Sequence, residues 1–163
     1  MAETNPLEYA IQLEQDGLAF YTKAAAETAN PLGKKMFESL AADEKRHEAI
    51  LRRVAQEMDA RLPDDLPTQR LVTLFATLGE AMKRELGGAA DDTKVIEKAL
   101  EMEKASYVHY SQQAKKAAVA AHRSLYARLA QEEDQHTDIL MNTLAYLNRT
   151  GQWFLWDEKA LLD

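Results

Sequence analysis

The sequence predicts an all-α protein, an antiparallel four-helix bundle built from two similar helical hairpins. Three observations support this fold class. Apolar residues recur at alternating three- and four-residue steps in four long segments, as on the buried face of a helix. The second half of the chain repeats the first at a constant offset of 89 residues. Breaks that contain Pro or Gly separate the segments at Asn30-Pro31, Pro63–Pro67 and Gly87-Gly88.

Each hairpin is predicted to consist of two long helices, and the other segments connect or follow them. The predicted helices cover about 6–29, 31–60, 91–119 and 121–147. Asn5 can cap the first helix, with Pro6 in its first turn. No Pro or Gly marks the turn expected near residue 118, which is predicted by analogy with the first hairpin.

The hairpins, residues 6–60 and 91–147, require a long crossover at 61–90, because two hairpins related by a two-fold axis start at opposite ends of the bundle. A short amphipathic helix is expected in this crossover, at about 68–86. The segment 148–163 is rich in aromatic residues and is expected to cover the end of the bundle or a neighbouring subunit. The whole chain, 1–163, is therefore predicted to form one domain.

Composition argues against several classes of function. The net charge of −7 and the lack of a Lys/Arg stripe argue against nucleic-acid binding. No apolar run reaches the roughly 18 residues of a membrane span, and the absence of Cys excludes disulfides and thiolate sites. Met1–Pro6 lacks the basic region and apolar core of a signal peptide, so a cytoplasmic protein is expected.

The 89-residue repeat retains ionisable residues as well as apolar ones. The repeated pairs are Glu14 and Glu103, Tyr21 and Tyr110, Glu44 and Glu133, and His47 and His136. One Glu-x-x-His motif alone is weak evidence, but here two occur, each with its Glu 30 residues after a matching Glu. All these residues fall on the apolar faces of their helices, so four carboxylates and two imidazoles are predicted to point into the bundle.

Four carboxylates in an apolar interior would raise each other's pKa values, at a cost of several kcal/mol for each unpaired ion. Two divalent cations would balance four carboxylates, and two neutral imidazoles would complete the coordination. Ferritin-like di-iron and di-manganese proteins use this set, a Glu from each of two helices and Glu-x-x-His from each of the other two. The predicted metal ligands are Glu14, Glu44, His47, Glu103, Glu133 and His136.

These motifs resemble those of the rubrerythrin family, a branch of the ferritin-like superfamily. The resemblance to the family's first hairpin lies in Glu14-x-x-Gly17-x-x-Phe20-Tyr21 and Leu40-Ala41-x-x-Glu44-x-x-His47, and that to its second in 103–110 and 129–136. It covers about residues 7–147. The chain departs from the family in two ways. It has no Cys to hold a rubredoxin-like iron centre, and Ser106 stands where the family has an extra metal-binding Glu.

The resemblance implies an oxidoreductase with two iron ions, Mn or Zn being possible in either position, that reduces hydrogen peroxide or dioxygen. It implies that Glu44 and Glu133 bridge the metals, and that the other four ligands are terminal. Because the chain lacks the rubredoxin-like centre, its electrons are expected from an external donor protein, rubredoxin-like or similar. The substrate is expected to be a small oxidant, the role a defence against oxidative stress, and the assembly a homodimer or larger homo-oligomer.

Two alternative functions are open. A ferroxidase that oxidises Fe(II) for storage is the first, because bacterioferritins share the duplicated Glu-x-x-His motif and a similar length. A non-catalytic, metal-stabilised bundle that binds a partner through the aromatic segment is the second. Assembly size and the response of the bound metal to oxidants distinguish these from the peroxidase.

Four residues beside the predicted ligands each allow two interpretations. Tyr21 and Tyr110 either hydrogen-bond a ligand carboxylate or fill the core. Gly17 and Ser106, both small, either leave room for metal and an oxygen ligand or allow close packing of helices; a glycine within a helix costs up to about 1 kcal/mol.

The remaining candidates are assigned to structure and not to chemistry. His109 flanks the apolar face of helix 3 and His122 lies near a turn, so neither is expected to be a ligand. Met102 and Tyr107 are expected in the core.

Overall fold

The computed structural model describes residues 5–57, 66–67 and 90–150. Within these ranges the chain forms four long helices and no strand: α1 (Pro6–Glu27), α2 (Pro31–Ala55), α3 (Ala90–Lys116) and α4 (Ala120–Thr150). α1 packs on α2 and α3 on α4, and α1 also contacts α3. The predicted all-α four-helix bundle of two hairpins is therefore confirmed.

The first hairpin turns where the sequence predicts, because Asn30 caps α2. Its side-chain Oδ1 accepts hydrogen bonds from the backbone N–H of Leu32 (2.9 Å) and Gly33 (3.2 Å), and Pro31 takes the first helical position. Thr28, after α1, is extended and cannot continue that helix. A cap of this kind typically stabilises a helix by about 1 kcal/mol.

The second turn lies near residue 118, as predicted, but a side chain closes it in place of a Pro or Gly. Arg123, in the first turn of α4, donates from Nη1 to the carbonyl oxygens of Ala117 (3.0 Å) and Ala118 (2.8 Å). These carbonyls follow α3 and have no partner within that helix, so the guanidinium satisfies them.

Helix α2 ends five residues earlier than predicted, at Ala55 and not at residue 60. The N–H of Gln56 still reaches the carbonyls of Arg52 and Arg53, but Glu57 has a φ of 55°. That left-handed conformation ends the helix. The other observed ends lie within three residues of the predicted ones.

Two apolar clusters fill the interior, one towards each end of the bundle. The first contains Tyr21, Phe37 and Leu140, and the second contains Leu51 and Leu129, all of them buried. The candidate metal ligands occupy the same helices between these clusters, because their positions continue the same buried faces.

The prediction that Tyr107 lies in the core is wrong, because its side chain is 41% exposed. The buried line of α3 runs through Glu103, Ser106 and Tyr110, and this line places residue 107 on the flank. The corresponding line in α1 passes through Gly17, which is buried, and leaves Leu18 only partly buried. Met102 is partly buried.

Most of the predicted crossover at 61–90 and the aromatic residues from 151 onwards lie outside the described residues. The crossover helix, the placement of the aromatic segment and the single domain therefore stay predictions. In the part of the chain that the structure describes, no helix is both long enough and apolar enough to cross a membrane.

Candidate metal centre

The six predicted ligands meet at the centre of the bundle, and every helix contributes at least one of them. α1 and α3 each supply one glutamate, while α2 and α4 each supply a Glu-x-x-His pair. All six residues are between 0% and 3% exposed: Glu14, Glu44, His47, Glu103, Glu133 and His136. Because these residues lie on the apolar faces of their helices, they come together at one buried site.

These side chains form two groups that share two carboxylates. Within each group, one possible ligand atom from every residue lies within 4.8 Å of the others. The first group is Glu14, Glu44, His47 and Glu133, and the second is Glu44, Glu103, Glu133 and His136. Glu44 and Glu133 thus stand where bridging ligands would stand. Each group also contains one unshared glutamate and one histidine.

The histidine Nδ1 atoms face the carboxylates. His47 Nδ1 lies 3.2 Å from Glu14 Oε2 and 3.0 Å from Glu133 Oε1. His136 Nδ1 lies 3.3 Å from one carboxylate oxygen each of Glu44 and Glu103. The two imidazole rings are roughly parallel, with centroids 5.8 Å apart. The geometry pairs His47 with Glu14 and His136 with Glu103, a pairing that the motif alone left open.

Several buried polar atoms at this place make no well-aligned hydrogen bond among the described residues, even where a histidine Nδ1 lies 3.0 to 3.3 Å away: Glu44 Oε1, Glu103 Oε2, both carboxylate oxygens of Glu133, and His136 Nδ1. Buried polar atoms in native proteins are nearly always hydrogen-bonded, and an ion is one explanation of a cluster of exceptions. Four carboxylates and two imidazoles suit two divalent ions. The residues present therefore fit a two-metal group.

The shared carboxylates are strongly perturbed in the metal-free chain. Burial is the largest cause that raises the pKa of Glu44, followed by the negative charges of Glu14 and Glu133. Burial likewise raises the pKa of Glu133, followed by the charges of Glu103 and Glu14. Without a cation nearby, these two groups tend to keep a proton.

The imidazoles are perturbed towards their charged form. Burial alone would lower the pKa of His47, but the charge of Glu14 and hydrogen bonds to carboxylates outweigh it and raise the pKa. Burial is opposed in the same way at His136, where the charge of Glu103 contributes most to the raised pKa. Burial would raise the pKa of Glu103, yet the charge of His136 and hydrogen bonds lower it. In the metal-free chain, protons on the imidazoles and shared carboxylates thus balance the negative charge that bound cations would otherwise balance.

Both buried tyrosines hydrogen-bond a predicted ligand, and each does so across the two hairpins. The hydroxyl of Tyr21 in α1 donates to Glu103 in α3, and that of Tyr110 in α3 donates to Glu14 in α1. Both rings also belong to the apolar clusters, so the two interpretations of these tyrosines hold together. Burial and the neighbouring carboxylates raise the pKa of both phenols, which therefore keep their protons.

Two acidic residues that the sequence argument missed lie behind the histidines. His47 Nε2 lies 2.9 Å from Glu132 Oε2, and His136 Nε2 lies 3.1 Å from Asp43 Oδ2. Each carboxylate can accept the Nε2–H of its histidine, which leaves the Nδ1 lone pair free for a metal. Both contacts again join one hairpin to the other.

A signal for these residues is present in the sequence. Asp43 and Glu132 are themselves 89 residues apart, and each stands directly before a predicted ligand glutamate. Both are 1% exposed, and each forms an ion pair with an arginine, Asp43 with Arg46 and Glu132 with Arg128. The recurrence of an acidic residue at the 89-residue offset, directly before each ligand glutamate, would have identified them.

Gly17 makes room for a predicted bridging ligand. A Cβ atom at this position would lie 2.8 Å from Glu44 Oε2 and 3.1 Å from its Cδ. Real Cβ atoms essentially never approach so closely, so any side chain here would displace the Glu44 carboxylate. Ser106, at the equivalent position in α3, is also buried.

The other two histidines lie apart from the centre. The Nε2 atom of His109 lies 3.0 Å from the carbonyl oxygen of Pro6, and its ring packs edge-to-face on Tyr9. His122 is partly buried near the second turn. Neither belongs to a candidate ligand group within the described ranges.

Comparison with known proteins assigns this architecture to a family. The family model for rubrerythrin matches residues 5–144, a range that contains all six candidate ligands, both tyrosines and the two supporting acidic residues. Neither the curated proteins nor the solved structures compared with the chain gave a match. Because the family match spans most of the chain, this protein belongs to the rubrerythrin family.

Proposed function

We propose that this protein is a two-iron oxidoreductase that reduces hydrogen peroxide with electrons from an external donor protein. One observation carries the proposal, the pair of buried ligand groups that share Glu44 and Glu133. Two ions held by these shared carboxylates would supply a single two-electron centre. Membership of the rubrerythrin family supports the choice of iron.

Six residues would hold the ions, as two terminal pairs and one shared pair. The terminal pairs are Glu14 with His47 and Glu103 with His136, and the shared pair is Glu44 with Glu133. When bound as Fe(II), such a pair supplies two electrons that, with two protons, convert hydrogen peroxide into two water molecules, and the donor protein returns those electrons.

The protein's own groups orient the ligands and hold protons. Tyr21 and Tyr110 donate to Glu103 and Glu14, so each terminal carboxylate has one oxygen engaged and the other turned towards its histidine. The raised phenol pKa values keep both protons on the tyrosine oxygens. The apolar clusters on either side exclude water from the ends of the centre.

The external donor, a cytoplasmic location, a role in oxidative stress and a homodimer or larger homo-oligomer belong to the same proposal. Oxidation of Fe(II) for storage is the alternative, because a ferroxidase uses the same ligand set. A metal-stabilised bundle without redox chemistry is the third possibility.

Anaerobic loading with two Fe(II) per chain, followed by stopped-flow mixing with peroxide and separately with dioxygen, tests the proposal. Oxidation that is much faster with peroxide and repeatable after re-reduction supports it. Oxidation that is equal or faster with dioxygen overturns it in favour of a ferroxidase or oxidase. Bound metal that neither oxidant changes would indicate a structural role.

Two variants connect the reaction to the site. Glu133→Ala removes a shared carboxylate and is expected to abolish the rapid phase with peroxide. Glu97→Ala removes the same type of side chain from an exposed position of α3 and is expected to change nothing. Equal rates in the two variants would show that the oxidation takes place elsewhere.

A further inference from the structure

A cavity of about 310 Å³ opens between α1 and α3 and reaches the candidate metal centre. Its inner end is lined by Glu44, Glu103 and Ser106, and so touches the ligand group of His136. The exposed Lys98 and Glu101, which form an ion pair of 2.9 Å, line its mouth. The cavity therefore joins solvent to one half of the centre.

The sequence repeat would place a matching opening at the other half, but the residues there differ. Tyr9 takes the position that corresponds to Lys98, and its ring packs on His109 at a centroid distance of 4.9 Å. His109 in turn packs on Tyr110, which donates to Glu14. The hollow at this end, of about 440 Å³, has no candidate ligand in its wall. Of these two hollows, the one that Lys98 lines reaches candidate ligands and the one that Tyr9 lines does not.

The cavity is larger than hydrogen peroxide needs. A water molecule's share of liquid volume is about 30 Å³, and an apolar cavity of about 150 Å³ is enough for benzene. The volume of about 310 Å³ leaves space for a small hydrocarbon group beside two reacting oxygens. Leu13, Met102 and Ala105 contribute apolar side chains to the cavity wall.

We propose that this cavity is the substrate site and that it admits small alkyl hydroperoxides as well as hydrogen peroxide. The hydroperoxy group faces Glu44 and Glu103, and the alkyl group lies against Leu13 and Met102. The hydroxyl of Ser106, buried at the inner end, offers a hydrogen bond to a hydroperoxy oxygen.

This inference rests on the proposed function and uses the same balance of electrons. The O–O bond of the hydroperoxide breaks, two protons are taken up, and an alcohol and water form. The two electrons are those of the reduced metal pair, which the external donor protein returns.

Binding can be measured without any redox reaction by using tert-butanol, which has the alkyl group of tert-butyl hydroperoxide but no O–O bond. The methionine methyl signals of the zinc-loaded and metal-free chain are followed by NMR as tert-butanol is added. The Met102 signal is expected to shift and saturate. Met36, which is 1% exposed within the first apolar cluster and does not line this cavity, provides the control and is expected not to shift. A Met102 shift that does not saturate, or that the Met36 signal matches, would overturn the proposal.

Reaction with tert-butyl hydroperoxide and with hydrogen peroxide is then compared in two variants. Ala105→Phe narrows the cavity and is expected to lower the rate with the alkyl hydroperoxide roughly tenfold more than the rate with hydrogen peroxide. Val108→Phe adds the same ring one turn further along α3, outside the cavity wall, and is expected to lower neither rate.

The outcomes separate the two claims. If hydrogen peroxide oxidises the iron and tert-butyl hydroperoxide does not, the inference is wrong and the proposed function stands. If neither peroxide oxidises the iron, both are wrong. If Ala105→Phe lowers both rates equally, or lowers neither, the cavity does not select the substrate.

Discussion

Replacing Gly17 with alanine is expected to stabilise the metal-free protein while weakening its binding of metal. Gly17 lies in the middle of α1, where alanine is favoured over glycine by about 1 kcal/mol. The added Cβ would lie 2.8 Å from Glu44 Oε2, and ordinary contact begins at 3.4 Å. The Glu44 carboxylate must therefore move by about 0.6 Å, a distance given by the difference between these two values.

This displacement has different consequences in the two states. In the metal-free chain it affects only the far end of a flexible side chain, so the gain in helix stability of about 1 kcal/mol remains and raises Tm by about 2–4 °C. In a metal-loaded chain, ligand distances tolerate deviations of only about 0.2 Å. Disturbing the support of metal ligands typically costs roughly 10–100-fold in affinity, or about 1.4–2.7 kcal/mol, and displacement of a shared ligand should cost at least as much.

Thermal unfolding of the metal-free chain and competition with a chelator for Co(II) measure the two effects separately. The control, Ala19→Gly, makes the reverse exchange at an exposed position of the same helix. It is expected to lower the metal-free stability by about 1 kcal/mol and to leave affinity unchanged. Wild-type affinity in Gly17→Ala would refute the reasoning, because Glu44 could not then bind metal in the position that the structure shows.

Three further predictions concern the groups around the centre. Asp43→Asn and Glu132→Gln are each expected to weaken Co(II) binding by roughly 10–100-fold, because a neutral amide orients the histidine less well. Glu97→Gln is the surface control. Unchanged Co(II) binding in the first two variants would contradict the role assigned to Asp43 and Glu132. Tyr21→Phe leaves Glu103 without its buried donor and is expected to cost about 1–3 kcal/mol of unfolding free energy in denaturant titrations, whereas no loss would show that this hydrogen bond does not contribute. The metal-free chain is expected to lose stability as pH rises, because folding raises the pKa values of both buried histidines and both shared glutamates. The stability that these groups contribute is complete below their ordinary pKa values of 6.5 and 4.5. It is lost as the pH rises through their pKa values in the folded chain. The lowered pKa of Glu103 acts in the opposite direction, since its contribution is present above 4.5 and is lost as pH falls through the folded value. Melting curves between about pH 5 and pH 9, with metal and with chelator, test this, and a metal-free Tm that rises over this range would contradict it.

The helices and their buried faces could be predicted because they follow from local patterns. The period of apolar residues depends only on neighbours three and four positions away, and Asn30-Pro31 contains its own cap and break. The second turn had no such local mark, since Arg123 closes it by reaching back to two carbonyl oxygens. Its position still followed from the repeat.

The exposure of Tyr107 was mispredicted for a physical reason. Positions 106 and 107 both lie within a turn of Glu103 and Tyr110, and hydrophobicity favours the tyrosine over Ser106 for the interior. The helices α1 and α3 instead meet over the small residues Gly17 and Ser106, where the Glu44 side chain and the cavity occupy the space. The sequence of one helix does not show which of its flanks the neighbouring helices will cover.

The amino-acid sequence by itself determined the four helices, the two hairpins and the six residues that meet at the centre, because periodicity and internal repetition encode the face on which a residue lies. Only the tertiary structure decided which groups touch there. Tyr21 reaches Glu103, Glu132 contacts His47, and a cavity between α1 and α3 reaches Glu44 and Glu103. These contacts join helices that are far apart in the chain, so they depend on how the two hairpins pack against each other.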